Sequence, residues 1–213
     1  MTEPPIHKDQ PTVSYGTALV DASAAVILLH GRGATAQNML ELAAHLPTDG
    51  VAYLMPQAAD NVWYPNSGFD PFIDNQPHLS SAMDRVEALL QRVQDADIPL
   101  GKTVIGGFSQ GACLAAEFTA RHARRYGGLL VLSGALMGPP DTPRNYAGSL
   151  DGTPVYIGGV DNDPWVTAAQ LRETAAVLEG LGGDVTIEVR QGSEHMIRQP
   201  EIEQAKQLIN RLV

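Results

Sequence analysis

Thr103-Val104-Ile105-Gly106-Gly107-Phe108-Ser109-Gln110-Gly111-Ala112-Cys113-Leu114-Ala115-Ala116 is the stretch on which the reading of this chain turns. Its first half is an apolar run suited to a buried strand. Its second half is rich in small residues and suits a helix packed close to that strand. Between them, Gly107-Phe108-Ser109-Gln110-Gly111 has the spacing of a strand-to-helix elbow that presents a serine side chain. Glycine is required on both sides because Ser109 must hold a strained conformation where helix and strand nearly touch.

Working outward, short aliphatic runs recur at Ala24–Leu29, 51–55, 129–132, 155–157 and 185–189. Helical patterns lie between them. Leu79, Met83, Val86, Leu90 and Val93 lay one apolar stripe along a helix that Ser80 or Ser81 is expected to cap. Ala168, Leu171, Ala175 and Leu178, closed by Gly180 and Gly182, predict another. Ile202, Ala205, Ile209 and Leu212, after Pro200, predict a third. Parallel strands need long crossovers, and crossover helices cover the sheet, so this alternation predicts an α/β fold: a mostly parallel sheet with helices on both faces. Residues 15–20 are expected to add an antiparallel edge strand. Residues 57–77 form the longest stretch without periodicity, the kind of loop that often carries function in a compact domain. Neither a repeat nor a linker interrupts the pattern, so residues 1–213 are read as a single domain.

The composition narrows the partners. With 213 residues, 44% of them hydrophobic, the chain can bury a substantial core. Its net charge of −10 is spread without an acidic tail or a basic cluster, so nucleic acid is not an expected partner. No run is long enough to cross a bilayer, and no integral membrane segment is expected. The single cysteine, Cys113, allows no intrachain disulfide, and residues 1–11 are polar with three prolines and lack a secretory signal's apolar stretch. A cytoplasmic location is the resulting expectation.

A serine hydroxyl is a weak nucleophile, so Ser109 needs a neutral histidine to take its proton and a carboxylate to orient that histidine. On a strand-elbow-helix framework the order along the chain is serine, acid, histidine, each on a loop after a strand. His195 is the only histidine after His122 and follows the run at 185–189. Asp161 and Asp163 both lie in the loop after 155–159, and spacing does not separate them. A calcium loop at Asp161-Asn162-Asp163 is excluded because Trp165 occupies the next ligand position and the turn glycine is missing. No metal or organic cofactor is required by this chemistry.

Acyl transfer places negative charge on the carbonyl oxygen, which backbone N–H groups receive. Gln110, directly after the serine, supplies one. Arg32, in His30-Gly31-Arg32-Gly33 after the run Ala24–Leu29, is expected to supply the second through its amide. His30 precedes Ser109 in the chain and is read as a structural residue that fixes this turn. Trp63, Tyr64 and Phe69 are candidate substrate-binding residues, the alternative being that they pin the long loop to the core. Cys113 has no base near it in sequence and is read as an inert buried thiol.

On Leu29-His30-Gly31-Arg32-Gly33, Trp63-Tyr64-Pro65-Asn66-Ser67, Gly106-Gly107-Phe108-Ser109-Gln110-Gly111, Leu132-Ser133-Gly134, Asp163-Pro164 and His195, the chain resembles the phospholipase/carboxylesterase family of α/β-hydrolases, which includes acyl-protein thioesterases. The resemblance implies an α/β-hydrolase fold without a large lid and favours Asp163, the aspartate before a proline, as the acid. It also supports the Arg32 and Gln110 amides as oxyanion donors. Ala34, Ala112 and Thr167 depart from the family pattern of an acidic residue, a second glycine and a proline. These departures place the chain nearer bacterial carboxylesterases than protein thioesterases. The expected activity is hydrolysis of small-molecule esters. A thioesterase or lysophospholipase with the same triad is the alternative within enzymes, and a non-catalytic binding module the alternative outside them.

Overall fold

The computed structural model describes residues 6–213. Along them run β1 (Thr12–Gly16), β2 (Ala24–Leu29), α1 (Ala36–Ala43), β3 (Val51–Pro56), α2 (His78–Gln94), β4 (Thr103–Phe108), α3 (Gln110–Arg121), β5 (Gly128–Leu132), β6 (Pro154–Val160), α4 (Ala168–Gly180), β7 (Asp184–Arg190) and α5 (Gln199–Asn210). The strands form one sheet in the order β1-β3-β2-β4-β5-β6-β7, with β1 antiparallel to β3 and the remaining pairs parallel. The mostly parallel sheet read from the alternation is therefore present.

Every residue of β2 is buried, because helices cover both faces of the sheet. Ala25, Ile27 and Leu29 face a core shared with α2, α3 and α4. Ala24, Val26 and Leu28 face a second core shared with α1 and α5. The chain winds outward from β2 toward β1 on one side and from β4 toward β7 on the other. The direction of winding thus reverses between β2 and β4. Loops leaving the carboxyl ends of two such strands diverge and open a crevice, the usual ligand position in sheets of this kind. Here those loops carry Gly31 and Ser109, and the register pairs Leu29 with Gly107 directly.

Several expected boundaries move. The edge strand lies at Thr12–Gly16 and not at 15–20, because Gly16 turns the chain at φ 80° and residues 19–21 form a 3-10 turn. Neither Ser80 nor Ser81 caps α2, which starts two residues earlier, behind Pro77. The Gln76 side chain does the capping instead: its Oε1 accepts both the Ser80 N–H (3.2 Å) and the Ser80 hydroxyl (2.7 Å). Pro200 lies inside the first turn of α5, where its missing N–H is no loss, and Leu212 lies beyond the helix end. Helix α1, not predicted from the sequence, is opened by Thr35, whose N–H donates to Asn38 Oδ1 at 2.9 Å. Two of the departures from the family pattern have local reasons. The Ala112 methyl fits because Gly134 faces it, where a Cβ would come within 2.5 Å of it. Thr167 is the N-cap of α4, its hydroxyl accepting the Gln170 N–H.

Candidate active site

Ser109 sits at the tip of the turn between β4 and α3 with φ 54° and ψ −119°, a conformation that L residues rarely adopt. What forces it is the closeness of the two elements. A Cβ on Gly107 would lie 2.5 Å from the Gly111 carbonyl carbon, and one on Gly111 would lie 2.3 Å from the Leu29 oxygen. The Ser109 N–H donates to the Leu132 carbonyl at 2.9 Å, which ties the turn to the neighbouring strand.

The loops after β6 and β7 bring Asp163 and His195 to this serine. His195 Nε2 stands 2.7 Å from Ser109 Oγ, and its Nδ1 stands 2.7 Å from Asp163 Oδ2. Asp163 Oδ1 accepts two backbone N–H groups, from Trp165 (2.8 Å) and Val166 (3.0 Å). An ionised carboxylate can only accept, so it takes the Nδ1–H and leaves Nε2 free to accept the serine proton. The imidazole lies against the Phe108 ring, with centroids 4.9 Å apart.

Asp161, which spacing left level with Asp163, is occupied elsewhere. Its Oδ1 accepts the Gly192 N–H at 3.0 Å and the Asn162 side-chain amide at 2.9 Å, tying the two loops to each other. Among the described residues no cluster of three or more His, Cys, Asp or Glu side chains is placed to hold a metal ion. Among them, too, no helix is long and apolar enough to cross a membrane.

A cavity of about 500 Å³ opens over Ser109, and Arg32, Gln110, Tyr64 and Phe69 all border it. The volume falls within the roughly 300–1,000 Å³ usual for small-molecule sites. Neither the Arg32 nor the Gln110 backbone N–H has a partner among the described residues. The Arg32 guanidinium donates to the Pro65 carbonyl at 2.7 Å and to that of Asn66, so it braces the cavity wall. The Gln110 side chain braces it too, accepting the Trp63 N–H at 2.9 Å and donating to the Tyr64 carbonyl at 2.8 Å.

Trp63 does not border the cavity, which corrects its candidacy as a substrate-binding residue. It is fully buried, its ring between His7 (5.5 Å) and His30 (5.0 Å), and its indole N–H donates to the His30 carbonyl at 2.9 Å. Packing on two imidazoles holds it in the core. Among the lining residues that the sequence reading did not assign to substrate binding are Phe108, Trp165 and Val166. Trp165 is 71% exposed, and a large aromatic two positions from a candidate acid was the available signal. Cys113 is buried, and its burial pushes the thiol up to about 11, which leaves no thiolate at neutral pH to compete with a serine.

Comparison with known proteins identifies the family. A family model described as phospholipase/carboxylesterase matches residues 17–213. The chain superposes on a phospholipase/carboxylesterase from Dyadobacter fermentans with a TM-score of 0.90 and 36% identity, covering 95% of this chain and 97% of that one. It is 26% identical to acyl-protein thioesterase 1 of Candida albicans, over 90% of this chain and 93% of the relative. With lysophospholipase-like protein 1 of Mus musculus it shares 27% identity, over 88% of this chain and 86% of the relative. Sheet order, elbow and matched length lead to one statement: this chain belongs to the phospholipase/carboxylesterase family of α/β-hydrolases.

Proposed function

We propose that the chain is a serine carboxylesterase acting on small to medium acyl esters, with Ser109 as nucleophile, His195 as base and Asp163 as the orienting acid. The observation that carries this reading is the unbroken pair of 2.7 Å contacts from Ser109 Oγ through both imidazole nitrogens to Asp163, opening into the cavity. In the first half-reaction Ser109 Oγ bonds to the ester carbonyl carbon as its proton passes to His195 Nε2. Negative charge collects on the carbonyl oxygen and is received by the Arg32 and Gln110 amides. Collapse expels the alcohol, which leaves with the proton from His195. Water, deprotonated by the same imidazole, then releases the acid and regenerates Ser109. The apolar rings of Phe69, Phe108 and Trp165 around the cavity suit an acyl chain.

The test is intact-protein mass spectrometry after exposure to a small fluorophosphonate, on wild type, Ser109→Ala and His195→Ala. A single adduct on wild type, lost in both folded variants, is expected. Labelling of folded Ser109→Ala would refute the assignment. Similarity to a protein named acyl-protein thioesterase 1 favours thioester hydrolysis as the second reading. Matched p-nitrophenyl esters and acyl thioesters of two to ten carbons separate the two, a kcat/KM higher for the thioesters favouring the second.

A further inference from the structure

His30 is a fully buried histidine that the triad does not use, and both of its ring nitrogens are engaged. Nε2 lies 3.0 Å from the Ala58 N, a group that can only donate, so Nε2 is the acceptor. Nδ1 therefore carries the proton and donates it to the Gly31 carbonyl at 2.8 Å. One neutral tautomer alone satisfies both partners. Burial lowers the affinity of this imidazole for a second proton, which keeps it in that form.

The Gly31 carbonyl shares a peptide plane with the Arg32 N–H. In a trans peptide the two point in opposite directions, so a donor that fixes the oxygen also fixes the N–H. The oxygen is turned to His30 in the core. The Arg32 N–H, at the opposite end of the same plane, has no partner among the described residues, and Gly31 and Arg32 both border the cavity. The peptide lies directly beside the elbow, close enough that a Cβ on Gly31 would come within 3.2 Å of the Phe108 ring and 3.4 Å of Ser109 Cβ. The same carbonyl accepts the Ala34 N–H at 3.1 Å, and two donors on one carbonyl strengthen its amide as a donor in turn.

We propose that His30 is a positioning residue for the oxyanion site: its Nδ1–H aims and polarises the peptide whose N–H, that of Arg32, receives charge in the transition state. The proposal rests on the assignment of the Arg32 amide made above. Trp63 extends it, since its ring packs on the imidazole and its indole N–H holds the His30 carbonyl. The loop wall and the oxyanion peptide are thereby set by one side chain.

The experiment uses the full chain with p-nitrophenyl butyrate and three variants. His30→Phe keeps a ring and loses both contacts, His30→Asn keeps a donor near Nδ1, and His30→Gln keeps an acceptor near Nε2. For His30→Phe, kcat per fluorophosphonate-titratable site is expected to fall about tenfold with KM changed less than twofold. That is smaller than the roughly 100- to 1,000-fold loss on deleting an oxyanion donor outright. Affinity for an alkyl boronic acid, whose serine adduct carries the charged oxygen, should fall by the same factor as kcat/KM. His30→Asn should retain more activity per site than His30→Gln. A purely structural role would lower the melting temperature and the number of titratable sites while leaving kcat per site intact, and that result overturns the proposal. So does His30→Gln matching or exceeding His30→Asn, a comparison that stands even where His30→Phe does not fold. A wild type that neither hydrolyses ester nor labels at Ser109 overturns the triad reading and this one together. An active, labelled wild type with undiminished variants overturns this one alone.

Discussion

At the elbow, position is set by the room left for atoms. Gly107 and Gly111 stand where any Cβ would meet backbone within 2.5 Å, and Ser109 takes the one conformation left to it. In the loop of residues 57–77, position is set by hydrogen bonds from side chains to backbone. Gln110 and Arg32 hold it from outside, and Asn75 holds it from within, accepting the Asn66 N–H at 2.9 Å and donating to the Ser67 carbonyl at 2.8 Å. Both regions border the same cavity. A region fixed by exclusion fails all at once when an atom is added, whereas one fixed by polar ties loosens one tie at a time.

The sharpest way to break this comparison is Gly111→Ala. The added methyl meets the Leu29 carbonyl at 2.3 Å and the His30 oxygen at 2.6 Å, neither of which can swing aside, so a loss of more than about 4 kcal/mol is expected. Urea denaturation or recovery of soluble protein measures it, and a wild-type midpoint would mean the elbow has slack. Asn75→Ala tests the loop. It removes two hydrogen bonds made by a fully buried side chain to backbone groups of the exposed residues Asn66 and Ser67, which water can reach, for about 1–2 kcal/mol, with KM rising as the wall beside Phe69 loosens. A stability loss without any change in KM would show that the wall is held by the remaining ties.

The smallest effect is a pH dependence. His7 and His30 accept the N–H groups of the consecutive residues Ala59 and Ala58, so the loop's first turn is secured only while both rings are neutral. Burial lowers the pKa of each below its ordinary 6.5. The unfolded chain then binds more protons than the native one just below that value, so stability rises with pH in this window. The contribution is full above about pH 6.5 and is lost as pH falls toward the lowered native values. Buried Glu201 acts in the opposite sense: burial raises its pKa, and its contribution is lost as pH rises above the ordinary carboxylate range. A His7→Gln variant isolates the His7 share of the effect. Its denaturation midpoint should fall less steeply than that of wild type between pH 6.5 and 5, and parallel curves would show that His7 does not contribute.

The same contrast explains what could be read from residues alone. The elbow was legible because its constraint is local: glycines at fixed offsets, a strand before and a helix after. The sheet was legible for a related reason, since runs such as Ala24–Leu29 must be buried on both faces wherever they pair. His195 could be singled out by chain order, but spacing did not separate Asp161 from Asp163 and only the family resemblance favoured Asp163, because what distinguishes them is which partner each oxygen meets across the fold. For Trp63 the choice between cavity wall and loop anchor could not be made for the same reason. Its neighbours His7 and His30 lie 56 and 33 positions away, and no spacing rule connects them. The cap of α2 was missed because Gln76 reaches it from outside the usual capping position.

The chain's two tryptophans lie in opposite surroundings: Trp63 is sealed in the core and Trp165 is 71% exposed at the cavity rim. The protein therefore carries two built-in optical reporters. The solvated indole emits at longer wavelength and is open to quencher, so the long-wavelength emission and acrylamide quenching of Trp165 follow occupancy of the cavity. The blue-shifted emission of Trp63 follows the integrity of the loop anchor. A single titration read in both bands distinguishes a ligand that enters the site from one that unfolds its wall.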